Sequence, residues 1–290
     1  MAEVKITDDS LASLKDKVVV VTGSSSGIGL ATVQLLLSQG ASVIGTDLHE
    51  PAEGVVSSPH FTFRSSNVTE WQHLVKVFKT ALELHSRVDH VFANAGIAPR
   101  VNYVSGIELD DDGDPKEPAS VVLDVNLKAT INTAALGVHY IRQNPSGGSV
   151  VINASSSGLQ RFRGVDYAVA KHGVIGLMRG LHVTLQSQNV PVRVNAIAPS
   201  WTGTSMVPQQ LFNSAGVDTQ TPDVVARAAA MLMADESRRG HLIHVDHGVY
   251  KEIDEALMLP TYRTLLHENT INEDEASGRV VAMVMRKQRA

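Results

Sequence analysis

The sequence predicts an α/β fold: about seven parallel strands in one open, doubly wound sheet with helices on both faces. Three observations lead there. Short runs rich in β-branched residues alternate with longer runs of helical spacing. A glycine-rich turn joins the first short run to the first helical one. No low-complexity linker or internal repeat divides the 290 residues, so one domain accounts for the pattern.

The strands are expected at 17–22 (KVVVVT), 41–46 (ASVIGT), 60–64 (HFTFR), 88–93 (VDHVFA), 149–154 (SVVINA), 192–197 (VRVNAI) and 241–245 (HLIHV). Helical spacing covers 27–39, 69–86, 119–143, 166–188 and 222–235. Thr69 and Asp166 are the expected N-caps of the second and fourth helices. Strands joined by crossover helices run parallel. The domain is expected to span 1–250. The tail, 251–290, is charged and less periodic; it reads as an added helix, a partner contact or disorder.

Composition narrows the function classes. Hydrophobic residues make up 43% of the chain, enough for a sizeable core. The net charge is −5 with no basic block, which argues against nucleic acid as a partner. Cysteine is absent, so disulfides and thiolate metal sites are excluded. That absence agrees with a reducing, cytoplasmic location. The opening MAEVKITDDS is polar and acidic, unlike a targeting peptide. No uninterrupted apolar run has the length of a membrane span.

The turn "TGSSSGIG" (22–29) carries the first chemistry. Gly23 permits a tight bend out of the strand. Gly27 and Gly29 let a ligand approach the backbone and the helix lie close to the strand. The free N–H groups and dipole of the helix start favour a phosphate there. Asp47 ends the second strand, where a carboxylate can accept hydrogen bonds from a ribose diol. Together these indicate a Rossmann-type dinucleotide site. None of Ser24, Ser25 and Ser26 is basic, and Leu48, His49 and Glu50 follow Asp47, so NAD rather than NADP is the expected cofactor.

The second cluster is "DYAVAKHG" (166–173). Tyr167 and Lys171 are four apart, on one helix face. Upstream, "VVINASSSG" ends a strand in Ser155, Ser156 and Ser157. Strands of this fold deliver their C-terminal ends to the ligand crevice, where a phenol, an ammonium and a hydroxyl could meet beside a nicotinamide.

From about residue 15 to 250 the sequence resembles the short-chain dehydrogenase/reductase family. The resemblance rests on TGSSSGIG (22–29), ANAG (93–96), Asn126 in VNLKAT, Ser155, Tyr167-x3-Lys171 and RVNAIAPSWTGT (193–204). YAVAKHGVIGL and GGSVVINASS look nearest to NAD-dependent enzymes of the 15-hydroxyprostaglandin dehydrogenase type.

The resemblance implies a catalytic tetrad. Tyr167 would be the general acid/base, Lys171 would hold the nicotinamide ribose and lower the tyrosine pKa, Ser155 would polarise the substrate oxygen, and Asn126 would position a relay water. Ser156 stands as the alternative to Ser155. The implied cofactor set is Gly23, Ser25, Gly27, Ile28 and Gly29 in the turn, and Asp47 at the adenosine ribose. Asn67 and Val68 would flank the adenine, with Asn94 and Gly96 in the chain near ANAG. Thr202 and Thr204 would lie at the carboxamide end, and Tyr167 and Lys171 at the nicotinamide ribose. A tyrosine of ordinary pKa about 10 must drop roughly two to three units to act near neutral pH. One ammonium at about 4 Å offers about 4 kcal/mol at an effective dielectric near 20.

Three positions depart from the family pattern: Ser200 where glycine is usual, His247-Gly248 in place of a glycine pair, and Asn67 for a frequent aspartate. The long connection 97–118 holds LDDDGDPKEP, whose spacing does not match a calcium loop. His241, His244 and His247 do not share one strand face. No metal is expected.

Segment 200–221, with Trp201, Met206, Val207, Leu211 and Phe212, is the expected lid. Its apolar content favours a moderately hydrophobic secondary alcohol or ketone. Val121, Val125, Ile131, Val174, Ile175 and Met178 offer apolar positions on two long helices, which in this family pair across a two-fold axis. A homodimer or homotetramer is therefore expected. The function read from the sequence is NAD(H)-dependent hydride transfer between an alcohol or ketone and nicotinamide. A non-redox enzyme such as a dehydratase or cyclase, or an NAD-binding scaffold on the same fold, is the alternative.

Overall fold

The computed structural model describes residues 2–268 and 270–289. Its strands are β1 (Ala2–Glu3), β2 (Val18–Thr22), β3 (Ser42–Asp47), β4 (Phe61–Ser65), β5 (His90–Ala93), β6 (Gly148–Asn153), β7 (Val192–Pro199), β8 (Leu242–Asp246) and β9 (Val249–Glu252). They form one sheet in the order β1-β9-β8-β7-β6-β5-β2-β3-β4. The seven expected strands, β2 to β8, are parallel. The edge differs from expectation: β9 turns back antiparallel on β8, and the short β1 pairs antiparallel with β9.

The four valines of β2 explain why the sheet is covered twice. Val18 and Val20 point into one core with Leu74, Phe78, Ile141 and Met178. Val19 and Val21 point into the other with Val33, Leu36, Phe92 and Leu232. A parallel strand buried on both faces reads as a continuous apolar run rather than an alternating one. Each such valine contributes about 1.5–3 kcal/mol by burial. Helices Trp71–His85, Val121–Ile141 and Val165–Ser187 cover the first face; Gly27–Ser38 and Pro222–Ala234 cover the second.

Helix Val121–Ile141 has the length and apolar composition of a membrane-crossing segment. It packs instead on β5 and β6, burying Ala134, Leu136, Tyr140 and Ile141. Two expected caps are also displaced. Glu70, not Thr69, sits at the N-cap of Trp71–His85, because Thr69 closes a turn onto the Asn67 side chain. Gly164, not Asp166, precedes the helix Val165–Ser187. The buried Asp166 carboxylate instead accepts the amides of Arg100 and Val101, both at 3.0 Å, and anchors the long loop that follows β5.

The chain stays on the core beyond β9. The Glu252 carboxylate accepts the amides of Asp254, Glu255 and Ala256, and buried Asp254 pairs with Arg179. Farther on, Glu273–Arg289 is helical.

His90 on β5 gives the fold a pH dependence. It is buried, its Nδ1 lies 2.9 Å from Ser149 Oγ, and burial together with Arg193, Lys17 and Arg87 holds its pKa down to about 3. Below the ordinary histidine value near 6.5, the unfolded chain takes up a proton that the native state refuses. Stability therefore falls as pH drops from about 6.5 toward 3. Between about pH 7 and pH 5 this one group is expected to remove about 2 kcal/mol. Urea unfolding of wild type and His90→Gln at both pH values checks this: the variant should lose less stability than wild type on acidification.

Candidate active site

The strand order reverses between β2 and β5, and the helices leaving these two strands diverge to opposite faces of the sheet. A crevice at the carboxyl ends of the strands follows from that reversal. The cleft there has a volume of about 580 Å³.

Its floor is the glycine turn. Gly23 has φ +67°, and a Cβ there would lie 2.8 Å from Ala95 Cα. At Gly29 a Cβ would stand 1.9 Å from the Gly23 carbonyl oxygen, so the helix can approach the turn only without a side chain. Asn94 ties this turn to its neighbours: its Nδ2 donates to the carbonyls of Thr22 and Gly23, and its Oδ1 accepts from Asn153 Nδ2 at 2.8 Å.

Of the expected cofactor residues, Gly23, Gly27, Ile28, Asp47, Asn67, Val68, Asn94, Gly96, Thr202 and Thr204 line the cleft. Ser25 and Gly29 do not. Gly29 lies behind the turn, and the Ser25 hydroxyl is turned onto the His49 carbonyl at 2.6 Å. The Ser25 amide nevertheless matters, because it donates to Asp47 Oδ2 at 3.1 Å while the Leu48 amide donates to Oδ1 at 2.7 Å. The carboxylate is thereby fixed at the cleft wall. Among the described residues, Asp47 and Lys171 are the charged side chains that line the cleft.

At the other end stand Tyr167 and Lys171, one turn apart on Val165–Ser187, with Ser155 just past the end of β6. Lys171 is 4% exposed, and its Nζ donates to the Asn153 carbonyl at 2.7 Å. Nζ lies 5.5 Å from the Tyr167 ring centroid. Burial holds the Lys171 pKa down to about 8, so its charge persists at neutral pH. Ser155 opens a short turn over Ser156–Gly158, its Oγ accepting from the Ser157 amide and hydroxyl. Ser156 lines the cleft as well.

One expectation changes, and one residue makes contacts that the sequence did not announce. Tyr167 does not sit below its ordinary pKa: burial raises it, and the Ser155 hydroxyl draws it only part of the way back. The Lys171 ammonium is turned to a backbone carbonyl, which leaves burial as the larger influence on the phenol. Asn126 is fully buried in a π-type turn, Asp124–Lys128, and makes no hydrogen bond to Tyr167 or Lys171. Its side-chain amide instead clamps both backbone groups of Ile97 at 2.8 Å.

The departures at Ser200 and His247 meet at the root of segment 200–221. Ser200 Oγ donates to Asp246 Oδ1 at 2.6 Å, and His247 Nδ1 lies 2.9 Å from the same oxygen. Gln220 accepts from the His247 amide and donates to the Val245 carbonyl, which ties the far end of the segment to β8. The sequence reading missed Asn153 and Phe162 and gave Asp166 only a capping role. Asp166 and Asn153 act through contacts distant in sequence, and Phe162 lies in the turn before the helix, outside any motif.

A doubly wound sheet with its cleft at the reversal point defines the nucleotide-binding α/β class. The sequence model for short chain dehydrogenase matches residues 17–215. The chain is 49% identical over 286 residues to the short-chain dehydrogenase/reductase ascJ of Acremonium egyptiacum, covering 97% of this chain and 96% of that one. It is 31% identical over 257 residues to the 3-oxoacyl-acyl-carrier-protein reductase FabG of Thermotoga maritima, covering 81% and 98%. The crystal structure of a 3-ketoacyl-acyl-carrier-protein reductase from Brucella melitensis complexed with NADH shares the fold with a TM-score of 0.70, at 22% identity, covering 81% and 99%. The chain belongs to the short-chain dehydrogenase/reductase family, a family of nicotinamide-dependent oxidoreductases.

Proposed function

We propose that the protein is an NAD(H)-dependent oxidoreductase that moves a hydride between a secondary alcohol or ketone and the nicotinamide, with Tyr167 as general acid/base. The observation that carries this reading is one cleft with Asp47 at one end and Tyr167, Lys171 and Ser155 converging at the other. The residues present fit the dinucleotide. Gly23 and Gly29 leave the turn bare of side chains, so backbone N–H groups can face a pyrophosphate. The fixed Asp47 carboxylate suits a ribose diol.

Bound NAD would supply the hydride acceptor, or as NADH the donor, and in its oxidised ring a positive charge beside the phenol. The chain handles the proton. Tyr167 gives its hydroxyl proton to the substrate oxygen in reduction and takes it back in oxidation. Ser155 donates to the same oxygen, and Lys171 holds the neighbouring ribose while its charge favours the phenolate. Asn126 acts one step removed, by fixing the Ile97 backbone at the cleft wall.

The substrate end is lined by Pro99, Phe162, Trp201, Met206, Val207 and Phe212, which supports a moderately hydrophobic alcohol or ketone. The test is a panel of secondary alcohols with NAD, read by absorbance of reduced nicotinamide and by product mass. NADH formation matched to ketone is expected. Loss of water from the substrate without NADH formation would overturn the reading in favour of a dehydratase.

A homodimer or homotetramer is proposed from apolar side chains left on the two long helices. Val121, Ile131, Val165 and Val169 are 40–51% exposed. Val174, Ile175 and Met178, expected at that contact, are instead buried in the core of the single chain. Light scattering is expected to give at least twice the monomer mass, and Val169→Glu to shift the protein toward monomer. A strictly monomeric wild type at micromolar concentration would contradict this.

A further inference from the structure

The chain holds six Phe, five Tyr and two Trp, and four of these rings stand in one row along the cleft. The row starts at Tyr167. Phe162 follows at 6.0 Å between centroids, tilted by 56°. Trp201 is next at 6.2 Å and 54°, then Phe212 at 4.9 Å and 49°. Three parts of the chain build it: helix Val165–Ser187, the turn before that helix, and segment 200–221. Trp201 lines the cleft, yet 43% of it is exposed. An indole face in that position gains most when something flat covers it.

Charge at this end of the cleft is as informative as shape. Asp47 belongs to the opposite end, and Lys171 is buried with its ammonium donating to Asn153. Arg161 and Arg163 flank Phe162 in sequence but are exposed and do not line the cleft. Among the described residues lining this end, none offers a free cation to a carboxylate or phosphate carried by a substrate.

Resting on the oxidoreductase reading above, we propose that the substrate end selects uncharged, ring-bearing ketones or carbinols, and that Trp201 is the residue that reads the ring. The ring lies against the Phe162–Trp201–Phe212 wall while its oxygen reaches Tyr167 and Ser155. A rigid ring meets such a wall without losing rotor freedom, whereas an open chain of equal carbon number must be frozen against it. Trp201 leads directly from β7 into segment 200–221, so covering its face also holds that segment over the substrate.

Three probes separate the terms: 2-decalone (a fused-ring ketone), 2-decanone (the open chain with as many carbons) and 9-oxodecanoate (a chain bearing an anion). The background is Trp71→Phe, which leaves Trp201 as the sole tryptophan, so its emission reports binding without turnover. In this background 2-decalone is expected to alter Trp201 emission and to bind at least about tenfold tighter than 2-decanone, with 9-oxodecanoate weakest. With NADH, kcat/KM should follow the same order. Trp201→Ala, followed by kinetics, is expected to lower kcat/KM for 2-decalone at least about tenfold more than for 2-decanone, mainly through KM, and Trp201→Phe to restore most of the difference.

Equal binding of the two ketones, a preference for the anion, or no response to 2-decalone would overturn the proposal. So would equal losses on both ketones in Trp201→Ala, which would make Trp201 a packing residue of the segment alone. If none of the ketones is reduced, the emission titrations still decide: tighter 2-decalone supports ring selection even as the oxidoreductase reading falls.

Discussion

Tyr167→Phe is expected to lower kcat at least about 10²-fold, or about 2.7 kcal/mol of barrier, while NAD affinity stays within about twofold of wild type. The substitution removes one hydroxyl and leaves the ring that packs against Phe162. Lys171 keeps its bond to the Asn153 carbonyl, so the group proposed to hold the ribose is undisturbed. The phenol's pKa adds a direction to the expectation. Burial raises it above its ordinary value, so at neutral pH Tyr167 carries its proton. That state is ready to donate in ketone reduction. Alcohol oxidation needs the phenolate, so its rate should climb with pH above neutral while reduction does not. Lys171→Met should differ from Tyr167→Phe by raising the KM for NAD as well as lowering kcat, because in the proposed reading Lys171 both holds the ribose and places its charge near the Tyr167 ring. Steady-state kinetics in both directions, with NAD affinity by titration, separate these outcomes; a Tyr167→Phe variant of near-normal turnover would sink the assignment.

The second large effect is the choice of dinucleotide. NAD is expected to be favoured over NADP by at least about a hundredfold in kcat/KM. Two amides hold the Asp47 carboxylate at the cleft wall, and it cannot swing away from a 2′-phosphate without breaking both bonds. Repulsion costs roughly 1–4 kcal/mol per unit charge at about 4 Å, from aqueous to partly shielded surroundings. The lost charge-assisted hydrogen bonds to the ribose hydroxyls add about 1.5–3 kcal/mol. Among the described residues no cation lining the cleft offsets this, since Lys171 is at the far end and exposed His49 does not line the cleft. Asp47→Asn is the cleaner test than Asp47→Ala, because an amide oxygen can still accept from Ser25. It should narrow the preference at least about tenfold, at 1.4 kcal/mol per tenfold. Equal efficiency of wild type with both dinucleotides would contradict the account.

Much of the fold was legible because its physics is local. The run of four valines announced a strand covered on both faces, and the twelve expected strand and helix segments fall within two residues of the observed ones. The glycine turn and the Tyr167–Lys171 spacing were legible for the same reason: each needs particular residue types at fixed intervals along one strand or helix. What stayed hidden depends on contacts across the chain. Asp166 looks like a cap by its neighbours, but its partners lie 65 and 66 positions away. Apolar spacing marked Val174, Ile175 and Met178 on a helix without distinguishing the side facing the sheet from the side facing a partner. The antiparallel edge was missed because β1 and β9 have two and four residues, too short for a periodic signal. The direction of the Tyr167 pKa depends on how deeply the helix sinks, which spacing does not encode.

The central claim is that a hydride passes from a carbinol carbon to nicotinamide while Tyr167 takes the hydroxyl proton. A secondary alcohol that turns over in the panel, deuterated at its carbinol carbon, tests it most directly. Incubated with the protein and NAD, it should yield reduced cofactor carrying the deuterium, seen by mass spectrometry as a shift of one deuterium for hydrogen, with ketone formed in equal amount. Reduced cofactor without the label, or deuterium found in water or left on a product other than the ketone, would contradict the account.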